Sequence, residues 1–248
     1  MKILSDLIKL LHNEYVKLLL ITLLRLSLTN KIVELKELID RIKIVNYETL
    51  RETISKLNQY EIISIINDEM IKVNKPAELA LILIMSGADP EHVSKYVTWH
   101  DFEALVTKEL SELGFETYKN IRLRKPKALE IDILAIDTVS KFCLVIDCKH
   151  WLPGYSKIRK LMSAAHKHIE RTLKLANSCE WLIRQYGIIR KCKYFVPALV
   201  TLTDLKVRTL LNCAIIPITL LRSFVFDIHK FIEELNILKL KNRCYIAP

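Results

Sequence analysis

The chain has 248 residues, 51% of them hydrophobic, enough for one large domain or two modest ones and too apolar for a disordered polymer. Its net charge is +10, and residues 1–98 carry 13 basic and 13 acidic side chains, so the whole excess lies in residues 99–248, with 25 and 15. The six cysteines (143, 148, 179, 192, 213 and 244) form no C-x-x-C pair and do not group with histidines at zinc spacing, which excludes a zinc-finger type of site.

Residues 2–28 carry apolar residues at helical spacing and predict one long helix or two abutting ones. The apolar run 16–28 is interrupted by Lys17 and Arg25 and is too short to span a bilayer. A short helix is expected over 33–39, and a third over 47–60 with Leu50, Ile54 and Leu57 on one face. Strands over 62–66 and 70–73 flank Asn67-Asp68-Glu69, a hairpin signal. Helices follow over 76–87, opened by Pro76, and over 91–97. These signals divide the chain into a domain over 1–88, a linker over 89–98 and a second domain over 99–248.

The second domain begins with an amphipathic helix over 99–113, which Thr98 or Asp101 can cap and Gly114 ends. Strands are expected over 115–123, 129–136 and 142–149, with a basic loop over 124–128. A helix over 154–176, a strand over 194–201, a helix over 204–211, a strand over 214–218 and a closing helix over 224–238 complete an α/β (α+β) reading, a sheet covered by helices. The absence of a leader-like segment predicts a cytoplasmic protein with no membrane partner.

Two strands carry charge in an unusual place. A strand turns alternate side chains to opposite faces, so Glu130 and Asp132 share one face, and Asp147 and Lys149 share another. The positions between are apolar. Carboxylates on a buried sheet are costly unless something pairs with them, and a divalent cation is one such partner. A metal beside a lysine can hydrolyse a phosphodiester. The basic excess downstream predicts a polyanion partner. Arg124, Lys125 and Lys127 in the loop, and Lys157, Arg159, Lys160, Lys167, His168, Arg171 and Lys174 on and before the next helix, are candidate DNA contacts. A solvated helix face is the plain alternative.

Other constellations carry less. Trp99-His100-Asp101 has no serine elbow with it. His166 and His168 point to different sides of a helix. Trp151 either packs a sheet edge or touches a sugar or base.

The order Glu103 on a helix, Gly114-Phe115 before a strand, Asp132 on a second strand and Asp147-Cys148-Lys149 on a third resembles the PD-(D/E)xK, or restriction endonuclease-like, nuclease superfamily. Within it, the pattern is similar to Mrr-type restriction enzymes and archaeal Holliday junction resolvases. The match covers about residues 99–201. It implies an αβββαβ core, Mg2+ (or Mn2+ as a substitute) held by Asp132 and Asp147, Lys149 as the catalytic lysine and Glu103 as an accessory acid. Glu130 has no certain counterpart and is an outer ligand or a supporting group. No proline precedes the first acid. His168, with Arg171 one turn on, stands where several relatives place a glutamine. Residues 10–75 resemble a winged helix-turn-helix by element order. The charge on its third helix is balanced, so DNA recognition and dimerisation both stay open. The resemblance implies an endonuclease of restriction, repair or recombination. The rivals are a silent DNA-binding or regulatory protein and a winged-helix interaction protein, such as a homodimer.

Overall fold

The structure, a computed structural model, describes Leu11 and residues 13–43, 46–123, 128–149 and 157–246. It is of mixed α/β class, and its backbone divides into two compact units, Met1–Phe102 and Glu103–Pro248. Among the described residues no helix is long and apolar enough to cross a membrane.

In the first unit, α1 (Glu14–Leu26) is capped by Asn13, whose side chain accepts from the Tyr15 N–H. Val16, Leu19, Leu20, Leu23 and Leu24 form its buried stripe. A helix expected over 33–39 is instead a short strand, β1 (Ile32–Glu34), leading into α2 (Leu35–Ile42). Pairing of Val33 with Ile71 decides this, because it buries Val33 in a sheet. Next come α3 (Tyr47–Gln59), β2 (Ile63–Asn67) and β3 (Met70–Val73). The three strands form an antiparallel sheet in the order β1-β3-β2. Pro76 opens α4 (Pro76–Met85), where its missing N–H is harmless. The short helix expected over 91–97 is α5 (Pro90–Ser94), capped by Asp89, which accepts from the Glu91 and His92 N–H groups.

The division between units falls inside α6 (Trp99–Glu112). Thr98 starts this helix by accepting from the Asp101 N–H at 3.1 Å and donating its hydroxyl to the Asp101 carboxylate at 2.7 Å. Gly114, at φ 88°, ends it in the left-handed conformation that glycine takes without strain.

The second unit is built on one sheet. β4 (Glu116–Leu123), β5 (Leu129–Asp137) and β6 (Phe142–Lys149) are antiparallel neighbours. From β6 the chain passes through α7 (Lys157–Ala176), α8 (Cys179–Gln185) and a 3-10 turn (Gly187–Lys191) to β7 (Tyr194–Thr201), which lies parallel to β6. β8 (Thr209–Leu210) and β9 (Cys213–Pro217) extend the order to β4-β5-β6-β7-β9-β8. Two short helices, α9 (Leu221–Phe226) and α10 (Ile228–Glu234), precede β10 (Leu240–Lys241), which pairs with the start of β7.

Two expected helices differ. Residues 204–211 form a turn and strand, because the Asp204 carboxylate takes the Lys206 N–H at 2.8 Å and both terminal nitrogens of Arg208. Leu211 and Asn212, both at positive φ, then make the tight hairpin between β8 and β9. The closing helix stops at Glu234 because Asn212 donates to the Asn236 carbonyl and accepts, through its own carbonyl, from the Leu238 N–H.

Cys179 and Cys244 are joined by a disulfide across 65 residues, a pairing without local signal. It ties the start of α8 to the chain end beside a core containing Ile189, Cys192 and Phe195. A cross-link of this span stabilises chiefly by restricting the unfolded chain. Cys179→Ser is expected to lose about 2–4 kcal/mol, read as a lower urea midpoint. Equal midpoints for variant and oxidised wild type would count against any such contribution.

Candidate functional site

The candidate site lies where β5 and β6 part. Ile133 pairs with Ile146, so one step further along the antiparallel ladder Asp132 stands opposite Asp147. The pair closes through a side chain: Asp132 Oδ2 accepts from the Cys148 N–H at 2.7 Å. β6 is buried along its apolar length, and Asp147 is only 3% exposed. Both Asp147 oxygens are occupied by cations. Lys149, two residues on and on the same strand face, reaches Oδ2 at 2.5 Å, and Arg171 from α7 donates to Oδ1 at 3.1 Å.

Glu103 enters from the second turn of α6 and is 5% exposed. Burial, then the charges of Asp132 and Asp147, push its carboxyl up to about 7, while Lys119 on β4 opposes the rise. Asp132 is likewise raised, first by burial and then by Asp147; the Cys148 N–H, Lys149 and Arg171 pull the other way. Burial holds the neighbouring Cys148 thiol well above its ordinary range.

The expected DNA contacts divide. Arg159, Lys160 and Lys167 are exposed on α7, and Arg171 is half-buried against Asp147. Arg124, Lys125, Lys127 and the Lys157 side chain lie outside the described residues, as do His150 and Trp151. His168 is a correction. It is fully buried, its Nε2 lies 2.8 Å from the Val145 carbonyl, and it has no face for DNA. The reason is helical phase: Leu161, Ala165, His168, Thr172 and Leu175 form the buried stripe of α7. Burial lowers the His168 pKa, which favours the neutral ring. Glu130 is exposed and accepts from Arg122 Nε and Nη2 at 3.1 and 2.9 Å.

Two residues were absent from the sequence-based set. Lys119 acts on Glu103. Asn120, at φ 55°, sits between the pairs Lys119–Ile133 and Ile121–Ile131, hence opposite Asp132. An asparagine within a strand pattern is the available signal, since asparagine tolerates the left-handed region better than most residues.

Among the described residues no group of three or more His, Cys, Asp and Glu side chains is placed to hold a metal ion. The donor chemistry nevertheless fits a hard cation. Asp132 and Asp147 raise the proton affinity of Glu103, Asp147 raises that of Asp132, and magnesium commonly takes one or two carboxylates with water and substrate phosphate. Asp132 and Asp147 would hold it, with Glu103 behind them.

No family model matches the chain, and no curated protein matches it. Among solved structures, the chain is similar to the crystal structure of protein VC1899 from Vibrio cholerae, with 14% identity and a TM-score of 0.37 over 93% of this chain and 56% of that one. The chain therefore spans little more than half the length of that protein.

Proposed function

We propose that the chain is a metal-dependent nuclease that hydrolyses DNA phosphodiester bonds in restriction, repair or recombination. One observation carries the reading: two aspartates stand opposite each other on neighbouring strands, and two cations close on one of them. Carboxylates suit a divalent cation and cations suit a phosphate, so both needs meet within one site. A bound magnesium or manganese ion would lower the pKa of a coordinated water and neutralise charge on the phosphate.

The chain's own groups have separable tasks. The Cys148 N–H orients Asp132. Lys149 offers a point charge to a phosphate oxygen, and Arg171 offers a planar fork. Glu103, with its carboxyl near 7, can hold or release a proton at neutral pH. The run α6, β4, β5, β6, α7, β7 supports a restriction endonuclease-like core. The run α1 to α3 followed by the β2–β3 hairpin supports a winged helix in the first unit.

A second reading is a catalytically silent DNA-binding protein, favoured by the engagement of both Asp147 oxygens and by the lack of a three-ligand group among the described residues. Purified protein incubated with plasmid, single-stranded and branched DNA separates the two. The nuclease reading expects cleavage with magnesium or manganese that EDTA abolishes. DNA binding with no metal-dependent cleavage on any substrate would leave the silent reading standing.

A further inference from the structure

α7 has a second face besides its buried stripe. Lys167, Glu170, Arg171 and Lys174 follow at i, i+3, i+4 and i+7, so they lie along one side of the helix. This side walls a cleft of about 480 Å3. Arg122 and Glu130 form the opposite wall, with Leu123, Ala128 and Leu129 between.

The charges in the cleft are unevenly engaged. Arg122 is paired with Glu130, and Arg171 with Asp147. Lys167 and Lys174 are exposed and make no ion pair among the described residues. Two ammonium groups that make no ion pair thus flank a guanidinium on one wall of a concavity whose lining holds four cations, Arg122, Lys167, Arg171 and Lys174, against two acids, Glu130 and Glu170, so an anion is still favoured there. Apolar side chains lie beside them. A ligand that satisfies both parts has a phosphate at one end and a flat apolar body at the other, and the volume suits one small molecule rather than a duplex. Arg171 is common to the cleft and the candidate site, so a phosphate held here is one side chain away from Asp147.

We propose that this cleft seats one unpaired nucleotide of the substrate strand next to the scissile bond, its phosphate on Lys167, Arg171 and Lys174 and its base against exposed Ala128 and the edges that buried Leu123 and Leu129 leave in the cleft. This deepens the nuclease reading and rests on it. A cleft of about 480 Å3 admits one base and not a base pair, so the substrate class is single-stranded, frayed or flapped DNA. The selection is by stacking and charge, not by base identity.

Fluorescence anisotropy in EDTA tests this without hydrolysis, using a labelled single-stranded oligonucleotide, the duplex of the same sequence, and free dTMP as competitor. The wild type is expected to prefer the single strand and to lose it to dTMP. Lys167→Ala/Lys174→Ala is expected to weaken single-strand binding by about fivefold or more and to flatten the salt dependence by about 0.7, the slope of one phosphate contact on a single strand. Glu170→Gln, which removes an acid from the same wall, is expected to tighten binding by about twofold. Equal affinity of the lysine variant and wild type for the single strand would overturn the proposal, as would equal weakening on single strand and duplex. Wild-type cleavage assayed separately in magnesium keeps the two ideas apart. A retained single-strand preference with no cleavage by wild type supports the cleft and removes only the hydrolysis. Cleavage without that preference removes the cleft alone.

Discussion

Asp132→Asn and Asp147→Asn are both expected to reduce metal-dependent DNA cleavage by at least about 10²–10³-fold, the scale of losing one preorganised electrostatic group, and only Asp147→Asn is expected to weaken the fold as well. The asymmetry follows from their partners. An asparagine at 132 still offers an amide oxygen to the Cys148 N–H and removes one charge from a crowded group of carboxylates. An asparagine at 147 leaves Lys149 and Arg171 facing a neutral amide in a site where the acid itself was almost wholly buried. Breaking a buried pair costs about 3–5 kcal/mol. The Lys149 and Arg171 side chains keep 23% and 36% of their exposure, so solvent screens part of the loss. A cost of about 1–3 kcal/mol is the matching scale, or about 2–4 °C in Tm per kcal/mol for a chain of this size. Rates on plasmid and single-stranded DNA, with thermal melts of the same samples, check both halves. An Asp132→Asn protein that cleaves like wild type would end the assignment of that residue.

Glu103 is expected to make stability fall as pH rises through the range 4.5 to 7. A free carboxyl titrates near 4.5, and this one, buried beside Asp132 and Asp147, titrates at about 7 when folded. Between those values the folded chain holds a proton that the unfolded chain has released. The native state therefore binds more protons there, and unfolding free energy declines with rising pH. Above about 7 the full penalty of a charged, buried carboxylate is present. Glu103→Gln removes the titration, so its Tm is expected to stay flatter across the window and to exceed that of wild type at pH 8. Magnesium is expected to raise the wild-type Tm more at pH 8 than at pH 5, since protonated carboxyls bind it poorly. Parallel pH profiles for variant and wild type would show that Glu103 is not the group responsible.

Much of the second unit is legible in local pattern. Residues 129–133 alternate apolar and acidic side chains and residues 142–146 form a continuous apolar run, and these two patterns place Asp132, Asp147 and Lys149 on strands. Gly114 and Thr98 mark the ends of α6 by ordinary capping chemistry. Local pattern fails where a distant partner decides. Asp204 bonding Arg208 turns a helical-looking segment into a hairpin arm, and Val33 becomes a strand residue because Ile71 is there to pair with it. His168 looks like a surface contact among basic neighbours, yet it belongs to the buried stripe set by the packing of α7.

The sequence by itself determined a two-part chain with its surplus positive charge in the second part, the α/β class, and the strands that bear the three central residues. These follow from periodicity, composition and capping, which act over a few residues. Only the tertiary structure decided that Asp132 faces Asp147, that Arg171 reaches the same carboxylate, that Glu103 is buried beside both, and that Cys179 meets Cys244. Each of these depends on strand register or on the packing of a helix against the sheet. Register and packing are set by how a whole unit buries its apolar surface, and no window of neighbouring residues contains that information.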